Sequence, residues 1–208
     1  MFLVPEDKRC EAKNMLDEKK YRMIHPLSEE QIQDVAKLDQ YYFGSKGYDE
    51  NELVRMAIQY PKGIFSLLDQ DDGRLLLTIS IWPISPELYS KMRFQDYSEE
   101  NILSQDILTN GDGSHWWIAA LLADKELREM NPNLISAFLA KVFMKWAKGE
   151  GDGRVNLISS GFTREGTLLL RNMHFNPVEN STHNVLFLET SVEKVWGILA
   201  RKLKSTLA

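Results

Sequence analysis

The sequence predicts an α/β protein with a mixed sheet, and two observations carry that prediction. Residues 63–68 and 74–82 are β-rich runs joined by the polar loop 69–73, which ends in glycine and predicts an antiparallel hairpin. Residues 116–160 read as strand, helix and strand, an order that requires a parallel crossover. A sheet that contains both kinds of connection is mixed.

The first elements show clear boundary signals. A short strand is predicted over Tyr21–Ile24. Ser28 followed by Gln31 forms a capping box, and it predicts a helix that stops near Gly44. A second helix is predicted from about Glu50 to Tyr60.

The later elements follow a long insert, residues 83–113. Within the insert, Glu87–Phe94 is predicted to be helical and Glu99–Asp106 is acidic. The predicted elements after it are the strand His115–Ala123, an amphipathic helix with its apolar face from Ile135 to Trp146, the strand Arg154 to Ser160, the helix Gly166 to Met173 and the strand Asn184 to Thr190.

Length and composition predict one domain with two appended tails. The chain has 208 residues, of which 43% are hydrophobic and 26% charged, as in an ordinary globular protein. Residues 1–20 are predicted to form a charged N-terminal arm, 21–190 the domain, and 191–208 a C-terminal amphipathic helix. That helix is expected to pack on its own domain, with a homodimer contact second and a membrane surface third.

Several classes of function are argued against by composition. The net charge of −5 argues against nucleic acid as the principal ligand. Cys10 is the only cysteine, and four scattered His residues lack metal-ligand spacing, so neither a disulfide nor a metal site is expected. Without a signal-peptide pattern or a long apolar run, the chain is predicted to be cytoplasmic, without stable membrane insertion.

The turn 124–133 is the strongest candidate for ligand binding. It connects an apolar strand to an amphipathic helix, so backbone N–H groups and the positive end of the helix point at one spot. Such a turn suits a phosphate group.

Two local patterns and the order of elements over about 21–190 resemble the GNAT acetyltransferase superfamily. Arg128-Glu129-Met130-Asn131-Pro132-Asn133 resembles the family pattern Arg/Gln-x-x-Gly-x-Gly/Ala, which holds a pyrophosphate. The segment from Thr163 to Phe175 resembles Asn-x-x-Ala-x-x-Leu-Tyr-x-x-x-Gly-Phe, with Leu169 and Phe175 matching. The resemblance implies a GNAT-like mixed central sheet with helices on both faces and acetyl-CoA as co-substrate, without a metal.

The sequence also departs from the family pattern. Both glycines of the first motif are asparagine, and the Tyr that protonates the leaving thiolate in many members is Leu170. Trp117 occupies the position of the usual strand-borne Glu base. These departures favour a second hypothesis, a GNAT-fold binding module without efficient catalysis, and an acyl donor other than acetyl-CoA is a third.

The resemblance assigns site residues by position. His115 is the candidate general base, and Ser160 is a candidate proton donor. The remaining assignments are to coenzyme binding, and they are Leu121, Leu122, Ala123, Arg128, Glu129, Met130, Asn131, Asn133 and Thr163.

The resemblance implies an N-acetyltransferase that acts on an amine of a small molecule or a protein. The insert 83–113 is predicted to define or cover the acceptor site, because long loops in compact domains are usually functional or disordered. Its acidic residues are expected either to attract an amine or to form a solvated loop, and they are Asp96, Glu99, Glu100 and Asp106.

Overall fold

The computed structural model describes residues 16–44, 47–94, 97–111, 113–124, 127, 132–149, 155–161, 163–178, 187–191 and 194–195. Its helices are α1 (Glu29–Phe43), α2 (Glu50–Gln59), α3 (Pro86–Phe94), α4 (Pro132–Gly149) and α5 (Arg164–Asn172). Its strands are β1 (Tyr21–Ile24), β2 (Ile64–Asp69), β3 (Leu75–Pro83), β4 (His115–Ala123), β5 (Asn156–Ser160), β6 (Asn176–Pro177) and β7 (Phe187–Ser191). Two short 3₁₀ turns, Glu99–Asn101 and Ser104–Asp106, follow α3.

The strands form one seven-stranded sheet in the order β1-β2-β3-β4-β5-β7-β6. The β4–β5 pair is parallel, whereas the other described pairs are antiparallel. The mixed sheet predicted from the sequence is therefore confirmed. The predicted hairpin is β2–β3, and the predicted crossover is β4-α4-β5.

Two neighbouring tryptophans of β4 show how the sheet is covered. Adjacent residues of a strand point to opposite faces. Trp116 packs edge-on against Trp146 of α4, with ring centroids 5.0 Å apart. Trp117 packs on the other face, where it contacts Tyr48 from the loop before α2. Both β4 tryptophans are fully buried, so each face of the central strand carries its own apolar layer.

Helix starts and turns lie where the local chemistry requires them. The Ser28 capping box is formed, with reciprocal bonds between Ser28 and Gln31 at the start of α1. Thr163 caps α5 by accepting a hydrogen bond from the N–H of Gly166 at 2.9 Å. His174 has φ of 60° in the turn after α5, at the position where the family motif carries glycine.

Both tails lie largely outside the described residues. Of the N-terminal arm, residues 16–20 are described; Leu16 is buried in the core, and Glu18 pairs with Lys141 of α4 at 2.8 Å. Of the predicted C-terminal helix 191–208, Ser191 and residues 194–195 are described; Ser191 is the last residue of β7, and Val195 is fully buried. Within the described ranges, no helix is long and apolar enough to cross a membrane.

Candidate functional site

Strands β4 and β5 separate after a short stretch of pairing. The parallel register runs from His115 opposite Asn156 to Ile118 opposite Ser159. Beyond Ile118, β4 continues to Ala123 paired with β3 on one side. Among the described strands, none pairs with the β5-facing edge of β4 along residues 119–123, and this opening is called the strand gap below.

A β-bulge lies at the start of the strand gap. The β3–β4 register passes from Ile81 opposite Ile118 to Ser80 opposite Ala120, so Ala119 has no partner on β3. A bulge leaves one residue out of the ladder and re-aims its neighbours, and bulges are frequent beside active sites. Ala119 also lines the cavity described below.

The unpaired edge of β4 offers backbone groups at alternate residues. The N–H of Asp124 donates to the carbonyl of Leu76 on β3 at 2.8 Å. Because antiparallel pairs alternate, the backbone of Leu122 also faces β3, whereas those of Leu121 and Ala123 face the strand gap. Two of the three strand residues assigned to coenzyme binding therefore have their backbone N–H and C=O on this side.

The turn between β4 and α4 is described only in part. Arg128, Glu129, Met130 and Asn131 lie outside the described residues, so their assignment stays a prediction. Asn133 belongs to the first turn of α4, and its side chain is not described. Strand β4 ends at Ala123 and helix α4 begins at Pro132. The loop between them therefore leads into the N-terminus of α4, as predicted.

A cavity of about 340 Å³ opens beside Ala119. It is enclosed by the C-terminal half of α1, the loop before α2, the first turn of α2 and the middle of the insert. Five of its lining residues are carboxylates, and no described lining residue is basic. The lining residues are Asp39, Phe43, Gly47, Tyr48, Asp49, Glu52, Glu99, Glu100, Ile102, Leu103 and Ala119.

Glu99 is the carboxylate of the insert that contacts a side chain of β4. Its residue is only 5% exposed, and one of its oxygens accepts a hydrogen bond from Nε1 of Trp117 at 2.8 Å. Burial raises the pKa of Glu99 to about 7, although Trp117 and the nearby Ser160 partly offset this rise. A carboxyl group with such a pKa can accept and release a proton near neutral pH.

Asp39 of α1 is the second buried carboxylate of the cavity. It is 3% exposed and accepts a hydrogen bond from the N–H of Tyr48 at 2.6 Å. Burial raises the pKa of Asp39 to about 6, and its charge raises the pKa of Glu99 further. A Cβ at position 47 would lie 2.9 Å from Asp39 Oδ2, so the loop can approach this carboxylate closely because residue 47 is glycine.

The structure does not bring the two sequence-predicted catalytic residues together. His115 opens β4, where its Nδ1 lies 2.9 Å from Ser114 Oγ and its ring contacts Tyr89; burial lowers the pKa of His115. It precedes Ala119 by four strand residues, or about 13 Å. Ser160 ends β5, close to Glu99, and its hydroxyl is buried without a well-formed hydrogen bond to any described residue.

Glu99 is a candidate functional residue that the sequence did not distinguish from the other acidic residues of the insert. The family motif places a carboxylate at the strand position held by Trp117, and here the insert delivers one to the indole nitrogen of that residue. For Glu99, the expectation of a solvated loop is wrong, because the residue is buried. The resemblance assigns Thr163 to coenzyme binding, but its side chain caps α5. This structural role by itself explains why a threonine stands at this position.

The free energy of unfolding is expected to fall as pH rises from about 4 to about 7. Between their ordinary pKa values and about 6 to 7, Asp39 and Glu99 hold protons in the folded protein that the unfolded chain releases. Each carboxyl contributes a loss on the order of 2–3 kcal/mol that is complete above its folded pKa. Urea unfolding at several pH values measures this loss in the free energy of unfolding. Asp39→Asn and Glu99→Gln should each flatten the profile, and stability that rises over this window contradicts the assignment.

Comparisons with known proteins agree with this topology. The sequence matches no family model and no curated protein. In structure, the chain is similar to the loading GNATL domain of CurA from Lyngbya majuscula, with 16% identity and a TM-score of 0.58, over 83% of this chain and 98% of that one. It is also similar to the GphF GNAT-like decarboxylase in complex with isobutyryl-CoA, with 12% identity and a TM-score of 0.58, over 82% and 99%.

A third similar structure is the NatC complex bound to Gag peptide and CoA, with 13% identity and a TM-score of 0.54, over 83% of this chain and 98% of that one. At these identities the likeness establishes the fold. The predicted GNAT fold is confirmed.

Proposed function

We propose, with the GNAT fold as premise, that this protein transfers an acyl group, acetyl in the first instance, from an acyl-coenzyme A to a primary amine. The observation that carries the proposal is the buried carboxylate of Glu99 beside the bulge of β4. At this point of the sheet, a group that can accept a proton lies next to the strand gap.

The strand gap suits the extended arm of a coenzyme A. The backbone N–H and C=O groups of Leu121 and Ala123 can form hydrogen bonds with the amides of that arm, which would take the place of a neighbouring β-strand. Arg128, Glu129, Met130, Asn131 and Asn133 are proposed to hold the pyrophosphate at the N-terminus of α4, where the helix favours an anion. An acyl-CoA held there supplies a thioester carbonyl that an amine can attack.

Glu99 is proposed to take the proton that the amine must lose. An ammonium group has no lone pair, so attack on a carbonyl requires a base within hydrogen-bond reach. The pKa of Glu99 lies near 7, so this carboxyl is largely ionised just above neutral pH. The amine proton passes to Glu99 as the C–N bond forms, and the C–S bond of the thioester then breaks to release the coenzyme as thiolate. Ser160, which lies beside Glu99, is proposed to supply a proton to that thiolate.

The names of two similar structures agree with an acyl-CoA donor. GphF was solved with isobutyryl-CoA and the NatC complex with CoA and a peptide. The acidic cavity supports an amine acceptor, because its carboxylates attract a cation.

Titration with acetyl-CoA and coenzyme A tests the proposal. Either ligand at 100 times its dissociation constant should raise the free energy of unfolding by about 2.7 kcal/mol. Arg128→Ala is expected to weaken coenzyme binding by about 1.5–3 kcal/mol through loss of a charge-assisted phosphate contact. Calorimetric titration of both proteins measures the difference.

Arg164→Ala is the matched control, because Arg164 is an exposed arginine at the start of α5. It should bind coenzyme A as the unmodified protein does. Absence of stabilisation by either coenzyme form contradicts the proposal. Coenzyme binding without thiol release on a panel of amines favours the second hypothesis, a GNAT-fold binding module.

A further inference from the structure

The cavity carries more negative charge than one ammonium group requires. We propose that the acceptor is a small aliphatic dication, with one ammonium group at Asp39 and Glu99 and a second at Asp49 and Glu100. This inference rests on the proposed function and adds the substrate class. Its argument has three parts: the buried carboxylates, the carboxylates at the mouth and the apolar wall between them.

The two buried carboxylates have few described hydrogen-bond donors around them, and none of these donors is a cation. Asp39 bonds to the N–H of Tyr48 through Oδ2, and Glu99 bonds to Trp117 through Oε1. No described residue donates to the other oxygen of Asp39, and Glu99 has only the nearby Ser160 as a further described neighbour that favours its charged form. Buried carboxylates without donors are costly, and an ammonium group brings three donors and a compensating charge. The inner end of the cavity therefore suits the reacting amine.

The outer carboxylates differ in how far they are already paired. Glu52 forms an ion pair with Arg55 and accepts the N–H of Ser104. Asp49 caps α2 through Oδ1, and within the described part of the chain neither Asp49 nor Glu100 has a cationic partner. Asp49 and Glu100 therefore supply the charge for a second ammonium group.

The rest of the cavity suits a flexible hydrocarbon chain. Phe43, Ile102 and Leu103 line it, and the ring of Tyr48 stands edge-on to Trp117 at 6.1 Å. Aromatic faces add attraction for an ammonium group. The volume of about 340 Å³ is that of a small-molecule site. Among the described residues, no three His, Cys, Asp or Glu side chains are arranged to hold a metal ion, which argues against a metal as the cation.

Matched acceptors test the inference. With acetyl-CoA as donor, 1,4-diaminobutane should give a kcat/KM at least about tenfold higher than 1-aminobutane, which lacks only the second charge. The analogue 4-amino-1-butanol, in which a neutral hydroxyl group replaces the second ammonium group, should behave like 1-aminobutane. The advantage of the diamine should shrink as salt rises.

The double variant Asp49→Asn with Glu100→Gln separates the two charges. Asparagine is also a good helix cap, so α2 should keep its start. The variant should lose the diamine advantage, because kcat/KM should fall much more for 1,4-diaminobutane than for 1-aminobutane, while Glu87→Gln, an exposed residue of α3, should change neither. Equal kcat/KM for diamine and monoamine, or an equal loss for both in the double variant, overturns the inference.

The inference and the proposed function fail in different ways. Transfer to monoamines without a diamine preference overturns only the dication. Coenzyme binding without transfer to any amine overturns the function, and calorimetric titration of 1,4-diaminobutane against the coenzyme-bound protein then still measures whether the cavity prefers a dication over 1-aminobutane.

Discussion

Glu99→Gln is expected to lower kcat for acyl transfer by about 10²–10⁴-fold. Glutamine has nearly the same shape and keeps an oxygen for the Trp117 indole, but it cannot accept the amine proton. The fold and coenzyme binding should be retained. Release of the coenzyme thiol, followed with a monoamine acceptor at saturation, measures the loss.

The pH profile distinguishes a base from a structural residue. In the unmodified protein, kcat/KM should rise through an apparent pKa near 7 as Glu99 ionises. Glu99→Gln should lose that step, and Glu87→Gln in the same insert should keep both rate and profile. Retention of most activity in Glu99→Gln, with a large loss in His115→Gln, instead assigns the base to the residue that sequence position suggested.

The elements with local signals were predictable. Strand β4 has the bounds His115–Ala123 that its apolar run indicates, and α1 begins after the N-cap Ser28 and ends at Phe43, with Gly44 as its C-cap. Helix α3 begins at Pro86, one residue before its predicted start at Glu87, and ends at Phe94 as predicted. In each case the information sits within a few neighbouring residues. The two-residue strand β6 has too few residues to show any period.

The site depends on contacts that no local pattern contains. Glu99 and Trp117 are 18 positions apart, and the hydrogen bond between them requires the insert to fold back across the sheet. An acidic residue in a polar segment is normally exposed, so composition pointed away from its burial. The bulge at Ala119 is equally hidden, because it is a property of the register between β3 and β4 rather than of β4 alone.

Gly63→Ala is expected to lower the free energy of unfolding by at least about 2 kcal/mol. A Cβ at this position would overlap the ring of Trp82, which is itself fully buried in β3. Protein interiors are close-packed, so the ring can make room only by leaving its rotamer or by shifting the strand. Urea unfolding of the variant measures the loss.

The same substitution tests whether the core positions the candidate base. Trp82 is the register partner of Trp117, so the two side chains lie on one face of the sheet, and a displaced Trp82 presses on the indole that holds Glu99. Activity should therefore fall in the folded variant. Gly113→Ala is the control, since the nearest atom to its Cβ would be the end of the Leu108 side chain at 3.3 Å, with two backbone oxygens at ordinary contact distance, and it should cost less than about 1 kcal/mol. A Gly63→Ala protein as stable as Gly113→Ala would contradict this packing, and a destabilised one with full activity would show that Glu99 is held independently of Trp82.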